Sequence, residues 1–288
     1  MTDKKVWLIT GCASGLGHEI ALQALERGDI VVATARDPSK LSDLASRGAL
    51  TARIDVTDTD ENLAAAVNSI TTSETTGGRI DILVNNAGYI LAGGVEEASR
   101  AEAQAIFETN VFGQLNMIRA VLPVMRAARS GVVANLGSIG GWHGTPGAGL
   151  YCATKACATI LAESLRAEVA HLGIKVTAVE PGYTRTNFLV PGHKLRSGRT
   201  IEDLGVGAVK ETLDALDAYS LNQPGDPVKA SKLIVDALTA SGSCEGRELP
   251  PRLLVGKDAY GVVRGVIETH EGNMKLWEDL ATATDCDP

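Results

Sequence analysis

Short apolar runs alternate with longer helical stretches along this chain. Strands are predicted, in chain order, over residues 5–10, 29–36, 50–56, 79–88, 131–138, 174–182 and 251–256. Helices are predicted between them, over residues 15–27, 38–47, 60–70, 100–129, 150–172 and 228–240. The strands are continuously apolar, which is typical of parallel strands covered on both faces. The pattern therefore predicts an α/β fold: a single-domain, Rossmann-type, doubly wound parallel sheet with helices on both faces.

The regular alternation of predicted strands and helices ends after the sixth strand. Residues 183–226 are rich in Gly, Thr, Leu and charge, and they indicate a loop with one or two helices. We expect this segment, here called the lid, to cover a substrate. Residues 257–288 are predicted to form a helical C-terminal extension. No change of composition indicates a linker, so residues 1–288 are predicted to form one domain.

Charge and cysteine usage restrict the possible partners. The formal net charge is −8 and no long basic run occurs, so nucleic acid and anionic membranes are disfavoured. The N-terminus lacks the features of a signal peptide, and no apolar stretch is long enough to span a membrane. The 5 cysteines are scattered, without a CxxC pair or a metal-binding pattern. We therefore expect a cytoplasmic protein with reduced thiols and no metal site.

A glycine-rich turn, "TGCASGLG" (10–17), joins the first strand to the first helix. Glycines at this position let the backbone approach a pyrophosphate, and the helix N-terminus points free N–H groups at its charge. The spacing, G-x-x-x-G-x-G, differs from the common G-x-G-x-x-G. Glycines also form ordinary tight turns, but the position within a βαβ unit favours dinucleotide binding.

The end of the second strand bears on the choice of cofactor. An acidic residue there would accept a hydrogen bond from the 2′-hydroxyl of NAD. The chain instead has Ala35 followed by Arg36, and a guanidinium can pair with the 2′-phosphate of NADP. Asp37 is the opposing signal, because a shifted loop would bring its carboxylate to the ribose. NADP is favoured, and NAD stays possible.

A tyrosine and a lysine lie one helical turn apart in "GLYCATKA" (149–156). Tyr151 and Lys155 share a helix face, and an ammonium near a phenol favours the phenolate. We expect this contact to lower the pKa of Tyr151, which would then act as a general acid in reduction and a general base in oxidation. Such a pair alone is more often a surface contact. Ser138, 13 residues earlier, strengthens the catalytic interpretation.

Further motifs accompany the glycine turn in a fixed order. They are "DV" (55–56), "NNAG" (85–88), Ser138, the Tyr-x-x-x-Lys pair and "PG" (181–182). Together they resemble the classical short-chain dehydrogenase/reductase family over about residues 5–185. Two departures are Cys12 inside the glycine turn and "NLGS", where a second serine is common.

The resemblance implies roles for individual residues. It implies Ser138, Tyr151, Lys155 and Asn110 as catalytic residues, with Asn110 holding a water that relays protons to Lys155. It implies cofactor contacts, from pyrophosphate and adenosine to nicotinamide, by Gly11, Ser14, Gly15, Leu16, Gly17, Arg36, Asp55, Val56, Asn86, Ala87, Gly88, Tyr151, Lys155, Pro181, Gly182, Thr184 and Thr186. Substrate contacts are expected from Ser138, Tyr151, Trp142, His143, Tyr183 and Phe188.

Several of these assignments have plain structural alternatives. Asn110 is also compatible with a capping or packing role, His143 with an exposed loop, and Tyr183 and Phe188 with core packing. The lid also carries a basic cluster, and we favour a solvated flank over an anion site for it. That cluster consists of His193, Lys194, Arg196 and Arg199.

The expected function is interconversion of a ketone and a secondary alcohol on a small, mostly hydrophobic substrate, with NADP(H) as the hydride carrier. Alternatives are an NAD-dependent alcohol dehydrogenase of the same family, an epimerase or dehydratase on the same fold, and a non-catalytic dinucleotide sensor. A sensor would not need Ser138, Tyr151 and Lys155. Homodimers or homotetramers are expected, because family members commonly pair through the helices at about residues 100–129 and 150–172.

Overall fold

A computed structural model describes residues 4–286. Its strands are β1 (Val6–Ile9), β2 (Ile30–Ala35), β3 (Leu50–Arg53), β4 (Ile82–Asn85), β5 (Ile90–Ala92), β6 (Gly131–Leu136), β7 (Ile174–Pro181), β8 (Lys194–Arg196) and β9 (Arg252–Val255). A 7-stranded parallel sheet has the order β3-β2-β1-β4-β6-β7-β9, while β5 and β8 form a separate 2-stranded sheet. The sequence predicted the large sheet and missed the small one.

The helices are α1 (Gly15–Glu26), α2 (Ser42–Ser46), α3 (Asp60–Thr71), α4 (Arg100–Phe107), α5 (Gly113–Ala128), α6 (Gly149–Val169), α7 (Ala208–Tyr219), α8 (Pro227–Thr239) and α9 (Lys257–Thr282). The helix predicted over residues 100–129 is divided by a π-helical turn, Glu108–Phe112. Within residues 4–286, no helix is long and apolar enough to cross a membrane.

Apolar side chains bury both faces of the large sheet. On one face, Ile20 of α1 and Ile234 of α8 pack against the strands, and both are fully buried. On the other, Leu63 of α3, Met117 of α5 and Ala162 of α6 form the second core. Two covered faces explain why the strands are continuously apolar. This is the single-domain, Rossmann-like arrangement that the sequence predicted.

The strand order reverses between β1 and β4. In an open parallel sheet, a ligand crevice lies at such a reversal, outside the carboxyl ends of the strands. The glycine turn follows β1 there, and the NNAG motif follows β4. The fold thus brings the two motifs to one edge of the sheet, although about 70 residues separate them.

The lid folds back onto the body of the protein. Ile90 of β5 pairs in parallel with Lys194 of β8, so the lid is tied to the chain just beyond NNAG. Lys194 is buried and forms an ion pair with Asp217 of α7, which also binds Arg196. The prediction of a solvated basic flank is therefore wrong for Lys194, because pairing of β8 places its side chain against α7.

Candidate active site and dinucleotide groove

The glycine turn forms a cradle that side chains would fill. A Cβ atom at Gly17 would lie 2.3 Å from Asn86 Nδ2 and 2.7 Å from the Gly11 carbonyl oxygen. Gly15 has a φ of +65°, a conformation that L side chains rarely adopt. Gly15 and Leu16 open α1, and Ser14 before them makes no side-chain cap. The N–H groups of α1 therefore stay available for an anion, and the cradle fits a pyrophosphate.

Hydrogen bonds join the NNAG motif to the glycine turn. Asn86 Nδ2 donates to the carbonyl oxygens of Thr10 and Gly11, at 2.8 and 3.0 Å. The Thr10 hydroxyl accepts from the backbone N–H groups of Asn86 and Ala87, each at 3.0 Å. These four bonds fix the floor of the groove between β1 and β4.

At the carboxyl end of β2, Arg36 is exposed immediately after the strand. The Asp37 carboxylate accepts from the backbone N–H and the hydroxyl of Ser39, at 3.0 and 2.7 Å. These hydrogen bonds lower the pKa of Asp37 and hold its carboxylate against the backbone of its own loop. The Asp55 carboxylate likewise accepts from the N–H and hydroxyl of Thr57, at 3.1 and 2.8 Å. The neighbouring Val56 is buried against α5.

Ser138, Tyr151 and Lys155 come together at the carboxyl end of β6. Ser138 has an extended backbone, and its hydroxyl accepts a hydrogen bond from the Gly140 N–H at 3.0 Å. The same hydroxyl also forms a hydrogen bond with the Tyr151 phenol. Lys155 Nζ lies 5.7 Å from the centre of the Tyr151 ring. It donates to the Leu136 carbonyl oxygen at 2.7 Å. One helix, α6, thus presents a phenol and a buried ammonium to one serine.

Burial decides the protonation of this cluster. It raises the pKa of Tyr151, and the hydrogen bond from Ser138 opposes the rise only in part. Burial also lowers the pKa of Lys155, from 10.5 to about 8, because the apolar surroundings penalise the ammonium. The sequence predicted that the ammonium would lower the pKa of Tyr151. Among the protein's own groups the direction is the opposite, because burial of the phenol dominates the shift in its pKa.

Asn110 occupies the π-helical turn and is fully buried. Its Nδ2 donates to the Tyr89 carbonyl oxygen at 2.9 Å and to the Thr154 hydroxyl at 3.2 Å. Its Oδ1 accepts from the Tyr89 N–H at 3.1 Å. A Cβ atom at Gly88 would touch both Asn110 Oδ1, at 3.0 Å, and Lys155 Nζ, at 3.8 Å. Asn110 therefore holds the chain beyond NNAG beside the lysine.

Two of the expected substrate residues flank the phenol or the lid. Phe188 packs on Tyr151 with 5.8 Å between ring centres, and the adjacent Leu189 is buried. Tyr183 stacks edge-on against Tyr219 of α7, with 5.0 Å between ring centres. Phe188 thus covers one side of the Tyr151 ring, and Tyr183 packs against α7 of the lid.

Trp142 and His143, also expected to contact substrate, do not pack against the Tyr151 ring. The Trp142 indole N–H donates to the buried Glu180 at 2.8 Å, and Arg252 lies 4.4 Å from the indole centre. Burial raises the pKa of Glu180. His143 is exposed in the following loop. These contacts hold the loop after Ser138 against the β7–β9 edge.

The chain beyond Pro181, the last residue of β7, runs through Gly182 along the open edge of the sheet. Gly182 N–H donates to the Val255 carbonyl oxygen at 2.9 Å, and Thr184 forms a bridge with Gly225. The Thr186 side chain lies beside Gly15, 3.6 Å from where a Cβ atom would stand. The loop therefore reaches back to the glycine turn.

Asp258 was missed from the sequence, and His193 was named there only as part of the basic cluster of the lid. Asp258, in the first turn of α9, accepts from the Tyr183 N–H at 2.6 Å. His193 of the lid reaches Ser14, with 3.4 Å between Nε2 and Oγ. No local pattern in the sequence points to either contact. Among the described residues, no cluster of His, Cys, Asp or Glu could hold a metal ion.

Comparison with known proteins agrees with this geometry. The family model "short chain dehydrogenase" matches residues 5–194. An oxidoreductase of Botryotinia fuckeliana, BOA17, is 33% identical over 285 residues, which cover 97% of this chain and 99% of that protein.

Solved structures show the same fold. A short-chain dehydrogenase from Streptomyces avermitilis superposes with a TM-score of 0.88 at 37% identity, over 99% of this chain and 100% of that one. A serine dehydrogenase complexed with NADP⁺ superposes with a TM-score of 0.68 at 26% identity, over 87% of this chain and 94% of that one. The chain belongs to the short-chain dehydrogenase family of oxidoreductases, whose cofactor is a nicotinamide dinucleotide.

Proposed function

We propose that this protein is an NADP(H)-dependent carbonyl reductase that interconverts a ketone and a secondary alcohol on a small, mostly hydrophobic substrate. The observation that carries the proposal is the cluster of Ser138, Tyr151 and Lys155 at the sheet edge that also holds the glycine cradle. A binding module would need the cradle alone.

The dinucleotide supplies the hydride in this chemistry. Ser138 lies within hydrogen-bonding reach of the phenol, so both hydroxyls can donate to one substrate oxygen as its charge develops. Because burial raises the pKa of Tyr151, the phenol carries its proton at neutral pH, as a general acid must. Lys155, with a pKa of about 8, can exchange a proton near neutral pH.

The substrate class follows from the side chains over the phenol. Phe188 covers the Tyr151 ring, and buried Leu189 and Ile90 belong to the same apolar cluster. Burial of apolar substrate surface contributes about 25 cal/mol per Å². We infer that residues 183–226 act as a lid that selects hydrophobic ketones.

The preference for NADP rests on Arg36. Its exposed guanidinium follows β2, where the 2′ substituent of the ribose is read in this fold. The Asp37 carboxylate, which would favour NAD, is bound to Ser39. The serine dehydrogenase similar to this chain was solved with NADP⁺.

Fluorescence titration of NADPH and NADH tests this preference. Arg36→Ala should weaken NADPH binding by about tenfold or more, through loss of a charge-assisted pair, and leave NADH binding unchanged. Arg47→Ala is the matched control, because Arg47 is an exposed arginine that pairs with Asp43 on α2. Equal affinity for both dinucleotides in the parent, unaffected by Arg36→Ala, would favour the NAD-dependent alternative.

A ketone screen with the preferred dinucleotide tests the reaction. Tyr151→Phe keeps the ring that packs on Phe188 and removes only the hydroxyl. It should lower kcat by about 100-fold or more while dinucleotide affinity stays within about twofold. Tyr260→Phe, which removes the hydroxyl of an exposed tyrosine on α9, is the matched control and should retain activity. A fully active Tyr151→Phe variant would rule out the phenol as the general acid.

We also propose that the protein forms homo-oligomers through α5 and α6. Ile160 of α6 is 57% exposed, and Phe112, just before α5, is 46% exposed. Apolar side chains on a helix face are typical of an interface between subunits. Light scattering on the parent and on Ile160→Asp measures the state. A monomeric parent would contradict the proposal.

A further inference from the structure

The basic residues of the lid do not share one role. Lys194 and Arg196 both bind Asp217, and the Arg199 guanidinium binds the Glu96 carbonyl oxygen. His193, the fourth member of this basic cluster, instead points across the groove to Ser14. The contact joins residues 179 positions apart in the chain. It places an imidazole at the N-terminus of α1.

The backbone around His193 is held on both sides. Its carbonyl oxygen accepts from the Ile90 N–H at 3.3 Å, and its own N–H donates to the Val190 carbonyl oxygen at 3.2 Å. The next residue, Lys194, is buried against α7. The imidazole is therefore presented from a fixed point on the lid and not from a free loop tip.

Its target is the part of the cradle that suits an anion. Ser14 precedes α1 and makes no cap to that helix, so the hydroxyl faces the lid while the N–H groups of the first turn stay open. Thr186 reaches the adjacent Gly15 from the same lid. An imidazole N–H can donate to a phosphate oxygen, and the helix N-terminus beside it already presents N–H groups and partial positive charge to an anion.

We propose that His193 is a pyrophosphate contact supplied by the lid, which closes over the bound dinucleotide and slows its release. The inference rests on the nicotinamide dinucleotide as cofactor, and it is independent of the NADP preference and of the role of Tyr151. His193 is a binding residue in this view, and the lid anchored by Asp217 sets its position.

Calorimetric titration with ADP-ribose tests the contact, because this ligand carries the pyrophosphate without the nicotinamide ring. His193→Ala should weaken ADP-ribose binding by about tenfold, as expected for loss of a hydrogen bond to a charged group. His193→Gln keeps a neutral hydrogen-bond donor, so its ADP-ribose affinity should lie between that of the parent and that of His193→Ala. Leu195→Ala is the matched control, because Leu195 is exposed on β8 only two residues from His193, and it should bind within about twofold of the parent.

Limited trypsin digestion gives a second readout, since Arg196 and Arg199 are cleavage points within the lid. Saturating ADP-ribose should slow cleavage of the lid in the parent and in Leu195→Ala, and it should protect His193→Ala much less. ADP-ribose affinity and protection that are unchanged in His193→Ala would overturn the inference. A parent that binds neither ADP-ribose, NADPH nor NADH would instead overturn the dinucleotide site itself.

Discussion

Replacing Lys155 with methionine should stabilise the folded protein while removing the cation beside Tyr151. Lys155 is 4% exposed, and burial lowers its pKa from 10.5 to about 8. That difference corresponds to about 3 kcal/mol of unfavourable free energy for the ammonium at neutral pH. Methionine has a similar length and no charge. It loses the hydrogen bond to Leu136, at a cost of about 1–2 kcal/mol, so a net gain of about 1–2 kcal/mol is expected.

The pH dependence has a definite sign. Below pH 8, Lys155 carries its proton in both the folded and the unfolded chain, so the penalty is constant. Above pH 8 the folded chain binds fewer protons than the unfolded chain, and its stability rises with pH until about 10.5. The raised pKa of Tyr151 acts in the opposite direction above about pH 10, where the unfolded tyrosine loses its proton. The effect of Lys155 on stability can therefore be measured separately from that of Tyr151 between about pH 7 and 9.5.

Urea unfolding followed by circular dichroism measures both effects. Between pH 7 and 9.5 the parent should gain about 2 kcal/mol of unfolding free energy relative to Lys155→Met. Lys175→Met, at an exposed lysine in β7, is the control and should follow the parent. A difference between parent and Lys155→Met that does not change with pH would refute the conclusion that burial controls this lysine.

Substitutions at three further positions test the groove. Gly17→Ala places a Cβ atom 2.3 Å from a side-chain nitrogen of the NNAG turn, so it should destabilise the fold by about 1–3 kcal/mol in urea and abolish dinucleotide binding in titrations. Asp258→Ala removes the acceptor of the Tyr183 N–H and should weaken dinucleotide binding by about threefold to tenfold. Asp258→Asn keeps an acceptor oxygen and should bind the dinucleotide like the parent. Equal binding by the parent and both variants would exclude a positioning role for Asp258. Asn110→Ala leaves the half-buried N–H and carbonyl groups of Tyr89 without their side-chain partner and should cost about 1–3 kcal/mol of unfolding free energy, and a cost under about 0.5 kcal/mol would contradict a structural role for these hydrogen bonds.

Much of the fold was predictable because its signals are local. Continuous apolar runs indicated the parallel strands, and glycine spacing after β1 indicated the cradle that a Cβ atom at Gly17 would fill. The i, i+4 spacing placed Tyr151 and Lys155 on one face of α6. Each of these inferences depends on residues within a few positions of each other, where backbone geometry fixes the relation.

Tertiary structure decided whatever depends on contacts between distant segments. The pairing of β5 with β8, the Asp258 bond to Tyr183 and the approach of His193 to Ser14 join residues about 75 to 180 positions apart. The direction of the Tyr151 pKa shift was also beyond the sequence. A neighbouring charge can be predicted from spacing, but the loss of solvation that raises the pKa of Tyr151 exists only once the chain has folded around the phenol.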